Sequence, residues 1–444
     1  MQDVATHAPG AGTGHVLYLA IGFPPAAKSC AYRMRATACA FVERGWSVTA
    51  VSLADESWER EMGLDPSLLT GLPRAVERVG LPLARYDMAN DIRGFSRDQA
   101  LHHEDWLAEQ EALDRATFPE AIFGRWLDPL QRALTDEHRR RPADLVLVSP
   151  APYVGVGAAS RFCADHDVPL AIDYRDAWSL DVISGDEAFT RDSAEGRWET
   201  EALGRATQVW FVNDAIRGFY QQRYPEFADR MITVPNGFDQ DPGNQVVARA
   251  HQPLRFGYLG TITLSVEQLT TVLRGWRLAR DASPLLAGAT LEFRGHVATG
   301  NVGAGRRQRA IERFADDGVS YGGPVLREDV AEVYGGWDGL VLALVGSEYV
   351  TSGKVYEYAA TGLPIVSAHD PRSAAAAVLA DYPRWFPNRS LTPPDIAAAF
   401  IAAAENAGAD PGPARQAAQR FDRARITADA VAGLTRLVVR EGTP

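Results

Sequence analysis

Two successive α/β domains, each carrying a parallel sheet, are what this sequence predicts. Three observations lead there. The chain has 444 residues, too long for one ordinary core and suited to two domains of roughly 200 residues each. Short apolar runs alternate with helical stretches along most of its length, the pattern of βα units. One polar, turn-rich segment, DQDPGNQVVARAHQPL from Asp239, interrupts the alternation near the middle and reads as a linker.

The first alternation opens with HVLYLAI, from His15, broken by Gly22-Phe23-Pro24-Pro25; a helical stretch from about Tyr32 to Arg44 and the strand WSVTAVSL follow. The region from Asp55 to Arg141 is less regular, but Phe118, Ile122, Trp126, Leu130 and Leu134 fall at helical spacing, and a face packed on the core explains them better than an acceptor-binding surface. The strands LVLVSP, VPLAIDYRD, QVWFVN and MITVPNG then complete the first half, with a helix to about Asp165 after the first of them. Beyond the linker come LRFGYLG, TLEFRG, GVSYGG, GLVLAL and LPIVSA, with helices between. The division expected is a flexible tail over 1–14, a Rossmann-like domain over 15–240, a linker over 241–253 and a second Rossmann-like domain over 254–444, its last helix free to pack back on the first. In such sheets ligands bind beyond the carboxyl ends of the strands.

Composition removes several function classes. Hydrophobic residues at 46% and charged residues at 23% suit large cores and argue against wholesale disorder. A net charge of -12 is opposite to the basic footprint of a nucleic-acid binder. Cys30, Cys39 and Cys163 are an odd number without C-x-x-C spacing, so no disulfide framework or zinc site is indicated, and a cytoplasmic location fits. The N-terminus lacks the basic start and apolar core of a signal peptide, and no apolar run approaches the ~20 residues of a membrane-spanning helix. Peripheral contact with a membrane stays open.

Chemistry concentrates after the strand GLVLAL, in GSEYVTSGKVYEYAATGLPIV. Thr351 or Ser352 can cap a helix starting near Gly353, and a glycine there admits a ligand close to the backbone. The free N–H groups and dipole of that helix end favour a phosphate, and Lys354 adds a full charge. Glu357 shares a helix face with Lys354 and can accept hydrogen bonds from two ribose hydroxyls. A surface ion pair is the competing reading of the same two residues. Two D-x-D strings, at Asp165 and Asp239, lie at a helix end and in the linker rather than after a strand, so no metal site is expected.

The spacing of Glu357, Ala360, Gly362 and Pro364 resembles the E-x-x-A-x-G-x-P donor-site signature of family-4-like glycosyltransferases with the GT-B fold. Further segments resemble that family in order: FPPAAKSCAYRMRA from Phe23, IDYRDAW from Ile172 (the D-x-R-D-x-W of a bacterial subgroup), VPNGFD from Val234, FGYLGT from Phe256 and GPVLREDVAEVYGGWDGLVLAL from Gly323. The resemblance implies two Rossmann-like domains facing each other across a cleft. It implies a retaining, metal-independent transferase of the hexosyltransferase class, with a nucleoside-diphosphate sugar as co-substrate and no further cofactor. Donor contacts would come from Gly260, Thr261, Arg294, Pro324, Val325, Ser352, Gly353, Lys354 and Glu357. Pro25, Ala26, Lys28 and Arg33 would line the acceptor side, and Lys354, Arg175 and Asp176 would serve catalysis. The acceptor is left open between a small molecule, a glycan and a lipid-linked species. A sugar-nucleotide epimerase and a non-catalytic partner of a transferase are the alternatives.

The sequence departs from the family in ways that narrow the site. Where many members carry a first glutamate, Tyr349 stands here, beside Glu348. The loop GTITLSVEQ has no basic residue where an Arg and a Lys are common, and Ala26 and Ala27 replace the usual glycines. The phosphate charge is therefore expected to fall on Lys354, with Arg294 as a second candidate or else as a buried structural arginine.

Overall fold

The computed structural model describes residues 14–61, 63–88, 92–240, 251–297 and 304–441, so most of the expected tail and the first ten residues of the expected linker lie outside the described residues. The chain divides into two compact units. The first takes in the chain to Asp181, Asp186–Pro235 and the stretch from Ala424; the second holds Val182–Gly185 and Asn236–Arg423.

Among the described residues the first unit carries a seven-stranded sheet: β1 His15–Leu19, β2 Ser47–Leu53, β3 Val76–Leu81, β4 Leu145–Val148, β5 Leu170–Tyr174, β6 Ala206–Phe211 and β7 Met231–Thr233. The order is β3-β2-β1-β4-β5-β6-β7, and every pairing is parallel. β1, β4 and β5 are buried along their whole length, as strands covered by helices on both faces must be. That is why they read as unbroken apolar runs. The helix Ser29–Glu43 turns Cys30, Met34, Ala38 and Phe41 to this core at helical spacing. The C-terminal helix Arg423–Glu441 adds Ala430, Val431, Leu434 and Val438 to the same core.

The irregular stretch 55–141 holds more structure than its sequence announces. β3, reading VERVGL, is an edge strand with exposed and half-buried positions, so it lacks the apolar run of its neighbours. The helix His103–Thr117 buries only Asp114, which removes any apolar periodicity. The expected helix through Phe118 begins only at Leu127, after a short turn at Gly124–Trp126. Upstream, Ile122 has φ 74°, a left-handed conformation that a helix cannot contain. Phe118, Trp126, Leu130 and Leu134 are nonetheless buried, so the core reading of these positions stands although two elements supply them.

The second unit carries a six-stranded parallel sheet: β8 Arg255–Leu259, β9 Thr290–Arg294, β10 Val319–Tyr321, β11 Gly339–Ala343, β12 Ile365–Ala368 and β13 Trp385–Phe386. Its order is β10-β9-β8-β11-β12-β13, so the winding order turns back between the parallel neighbours β8 and β11, the place where doubly wound sheets take ligands. One face packs Phe256, Tyr258, Leu291 and Phe293 against Leu269, Leu273 and Trp276 of the helix Val266–Ala282. That helix starts at a capping box in which Ser265 and Gln268 satisfy each other's backbone N–H groups. The other face packs Leu259, Leu340 and Leu342 against Val355, Tyr358 and Ala359 of the helix Gly353–Thr361. That helix ends at Gly362, φ 77°, a left-handed cap before the turn into β12.

Candidate active site

The predicted donor residues Gly260, Thr261, Ser352, Gly353 and Lys354 converge at the carboxyl edge of the second sheet. Ser352 caps the helix Gly353–Thr361, accepting the Lys354 backbone N–H at 3.4 Å. Among the described residues no group accepts the Gly353 N–H. A Cβ on Gly353 would meet nothing within 4 Å, so neither packing nor backbone shape calls for glycine there.

Gly260 answers to a closer constraint. It leaves β8 with φ 131°, a conformation that side chains disfavour, and a Cβ on it would stand 2.1 Å from Lys354 Cε. The lysine stem lies over the bare backbone of this residue. Gly295, φ 117°, supports it from below: its own Cβ would stand 2.3 Å from the Gly260 carbonyl oxygen. The Gly260 N–H donates to the Arg294 carbonyl at 2.9 Å, tying the ends of β8 and β9 together.

Lys354 is half-buried. Its ammonium donates to the hydroxyl of Tyr258 and to the Thr261 carbonyl, the latter at 3.1 Å, and stands 4.4 Å from the centre of the Tyr258 ring. Both acceptors are neutral. Burial pushes the amine down to about 8, and the charge of Glu357, exposed one turn along, opposes the shift. The site thus has a cation and, beside it, a helix end whose exposed glycine keeps its N–H unspent among the described residues, which suits a bound phosphate.

Arg294 is placed differently. Its guanidinium pairs with Glu292 at 3.2 Å, and its Nε is buried without a partner among the described residues. Glu292 in turn accepts from the Trp337 indole at 3.1 Å. These side chains line a groove of about 590 Å³ with Arg255, Ser320 and Glu332. Arg294 therefore carries a partly compensated charge. Pro324 is exposed and Val325 half-buried in the loop after β10, whose Gly323 carbonyl accepts the Gly295 N–H at 2.8 Å.

Sequence reasoning passed over a second hollow, about 500 Å³, at the carboxyl ends of β11 and β12. Leu344, Ser347, Glu348, Tyr349, Asp370 and Arg372 help to line it. Arg372 holds Asp370 through both its backbone N–H, at 2.8 Å, and its side chain, and lowers the pKa of that carboxyl. The turn HDPRS after LPIVSA was the available signal: a charged pair where a strand of the ligand-binding edge ends. Tyr258 was likewise missed, because an aromatic residue in a strand reads as core.

In the first unit, Arg33 is not the open cationic group expected. It is 1% exposed and pairs with Asp173, itself fully buried, at 2.7 Å. Its Nη1 N–H groups reach the carbonyls of Val234 and Pro235 at 2.8 and 2.9 Å. Every one of these acceptors is internal, so the pair clamps the unit. Arg175, mostly buried, stands 3.7 Å from the exposed Asp176 and donates to the Pro150 carbonyl at 3.3 Å. Pro25 and Ala26 are buried in the first loop, where the Pro25 carbonyl accepts the Asp65 N–H at 2.7 Å. Lys28 stands 4.5 Å over the ring of Trp58. Of the D-x-D strings, Asp165 accepts from Gln131 in an exposed contact, Asp239 pairs with the buried Arg423, and Asp241 lies outside the described residues. Among the described residues no helix is long and apolar enough to cross a membrane.

Neither a protein-family model nor a curated protein matches the sequence. Solved structures do match the fold. A glycosyltransferase from Rickettsia africae ESF-5 superposes with a TM-score of 0.67 at 9% identity, covering 97% of this chain and 99% of that one. Anabaena HepE in complex with UDP gives 0.61 at 15% identity, covering 95% and 100%. Sucrose-phosphate synthase from Thermosynechococcus elongatus gives 0.56 at 15% identity, covering 97% of both chains. The likeness runs over the whole length of each, and the chain has the two-sheet α/β architecture of the GT-B glycosyltransferases.

Proposed function

We propose that this chain is a glycosyltransferase that moves a sugar from a nucleoside-diphosphate sugar to an acceptor hydroxyl, taking the donor's diphosphate at Lys354. The observation that carries the reading is a cation held by neutral oxygens over a bare glycine backbone, beside an open helix N-terminus. That arrangement keeps its net charge for an anion. The architecture shared with HepE, whose structures hold UDP, UDP with glucose, and UDP-glucose, supports a uridine nucleotide as the first donor to try.

In the proposed reaction the bond from the anomeric carbon to the diphosphate oxygen breaks, and a bond to the acceptor oxygen forms. The acceptor's proton leaves with the departing diphosphate. Negative charge grows on that leaving group, and preorganised donors aimed at it lower the barrier. Lys354 and the Gly353 N–H have this role. Glu357 takes the ribose hydroxyls, and Gly260, Thr261, Pro324 and Val325 shape the rest of the donor site. Arg175 and Asp176, at the carboxyl end of β5, are proposed for the acceptor. Retention of configuration and independence of a metal belong to the same proposal.

A thermal-shift screen of UDP-, GDP-, ADP- and dTDP-sugars tests the reading. A nucleotide that binds only the native state stabilises it by about 2.7 kcal/mol at a hundredfold excess over Kd. One base should raise the melting temperature above the other three. A flat response to all four contradicts a donor site. A donor isomerised without any acceptor would point to epimerase chemistry instead.

A further inference from the structure

Lys354 alone does not explain where its ammonium rests. Tyr258 lies in β8, 1% exposed, with its ring 5.5 Å from that of Phe293. Its hydroxyl donates to the Thr261 carbonyl at 2.7 Å. A phenol has one proton to give, and that bond uses it, so only a lone pair faces the Lys354 ammonium. The same ring offers its π face to the cation. A carboxylate in this place would fix the lysine equally well and cancel its charge. Tyr258 fixes it and leaves the charge whole, and through Thr261 it also sets the course of the loop that leaves Gly260 bare.

We propose that Tyr258 is the positioning residue of the donor site: it holds the Lys354 ammonium over Gly260, where the diphosphate of the donor meets it. The proposal rests on the glycosyltransferase reading of the site.

The test compares the full-length chain, Tyr258→Phe, Lys354→Ala and the double variant by calorimetric titration with UDP. If Tyr258 acts through the lysine, Y258F weakens UDP binding ~5–10-fold, the net share of one ordinary hydrogen bond. The double variant then binds within ~2-fold of K354A, because contacting residues that work as a unit do not add. Wild-type affinity in Y258F overturns the proposal, as does a double variant that loses both factors in full. Should the wild type bind no nucleoside diphosphate, the functional reading fails and the positioning is judged separately. The Lys354 amine is then titrated by NMR in wild type and Y258F, where a changed pKa supports the contact and an unchanged one refutes it. If Y258F does not fold, the wild type decides: a nuclear Overhauser contact between the Tyr258 ring and the Lys354 ε-methylene is expected, and its absence overturns the proposal.

Discussion

Lys354→Ala is expected to lower turnover by ~10²-fold or more while leaving the fold intact, in line with the loss of one preorganised donor to a developing negative charge. The side chain lies over backbone at the sheet edge, and among the described residues no buried carboxylate pairs with it, so its removal strands no buried opposite charge there. Nucleotide release from the donor, with the thermal transition as a control for folding, gives the measurement. A folded variant with unchanged kcat contradicts the assigned role. The pH dependence carries a second signature. Burial holds the amine at about 8, so the free protein keeps its cation below that pH and loses it as pH rises through it. UDP affinity should therefore fall as pH rises through 8. In K354A that alkaline fall should vanish.

Asp173→Ala is expected to produce the largest loss of stability. Asp173 and Arg33 are both enclosed, and removing one partner leaves the other as a lone buried charge, which destabilises by ~3–5 kcal/mol. For a unit of this size that lowers the melting transition by on the order of 10 °C. The Arg33→Met, Asp173→Leu double variant should lose less than D173A, since neither charge then remains. A D173A transition within experimental error of wild type would show that the pair does not clamp the unit. The clamp bears on the proposed acceptor residues through what it joins. Arg33 binds the carboxylate two residues before Arg175 and the carbonyls of Val234 and Pro235, the last residues of this unit before Asn236. A loosened pair should also disturb the strand end that presents Arg175 and Asp176.

How far the sequence reached depended on the physical source of each signal. β1, β4 and β5 were legible because burial on both faces makes a strand apolar throughout. β3 was not, because its edge position leaves Glu77 exposed and Arg78 half-buried, and the helix His103–Thr117 was not, because it buries almost nothing. The proposed donor loop was legible in part as local structure. Ser352, Gly353, Lys354 and Glu357 are close in sequence, and Ser352 caps the helix that begins at Gly353. The partners that give Lys354 its position lie 93 and 96 residues away. Arg33 shows the opposite failure: a lone arginine after a loop suggested an open site, but its partner is 140 residues distant and the pair is sealed. Long-range polar pairing leaves no periodic trace, so it is the part that only the folded chain reveals.

In the proposed site the donor's diphosphate sits on Lys354 and the start of the helix Gly353–Thr361. A crystal structure of the chain with UDP should show a phosphate oxygen within hydrogen-bond distance of both Lys354 Nζ and the Gly353 N–H. A diphosphate bound instead in the groove beside Arg294 and Glu292, with Lys354 still resting on Tyr258 and untouched by the ligand, would contradict it.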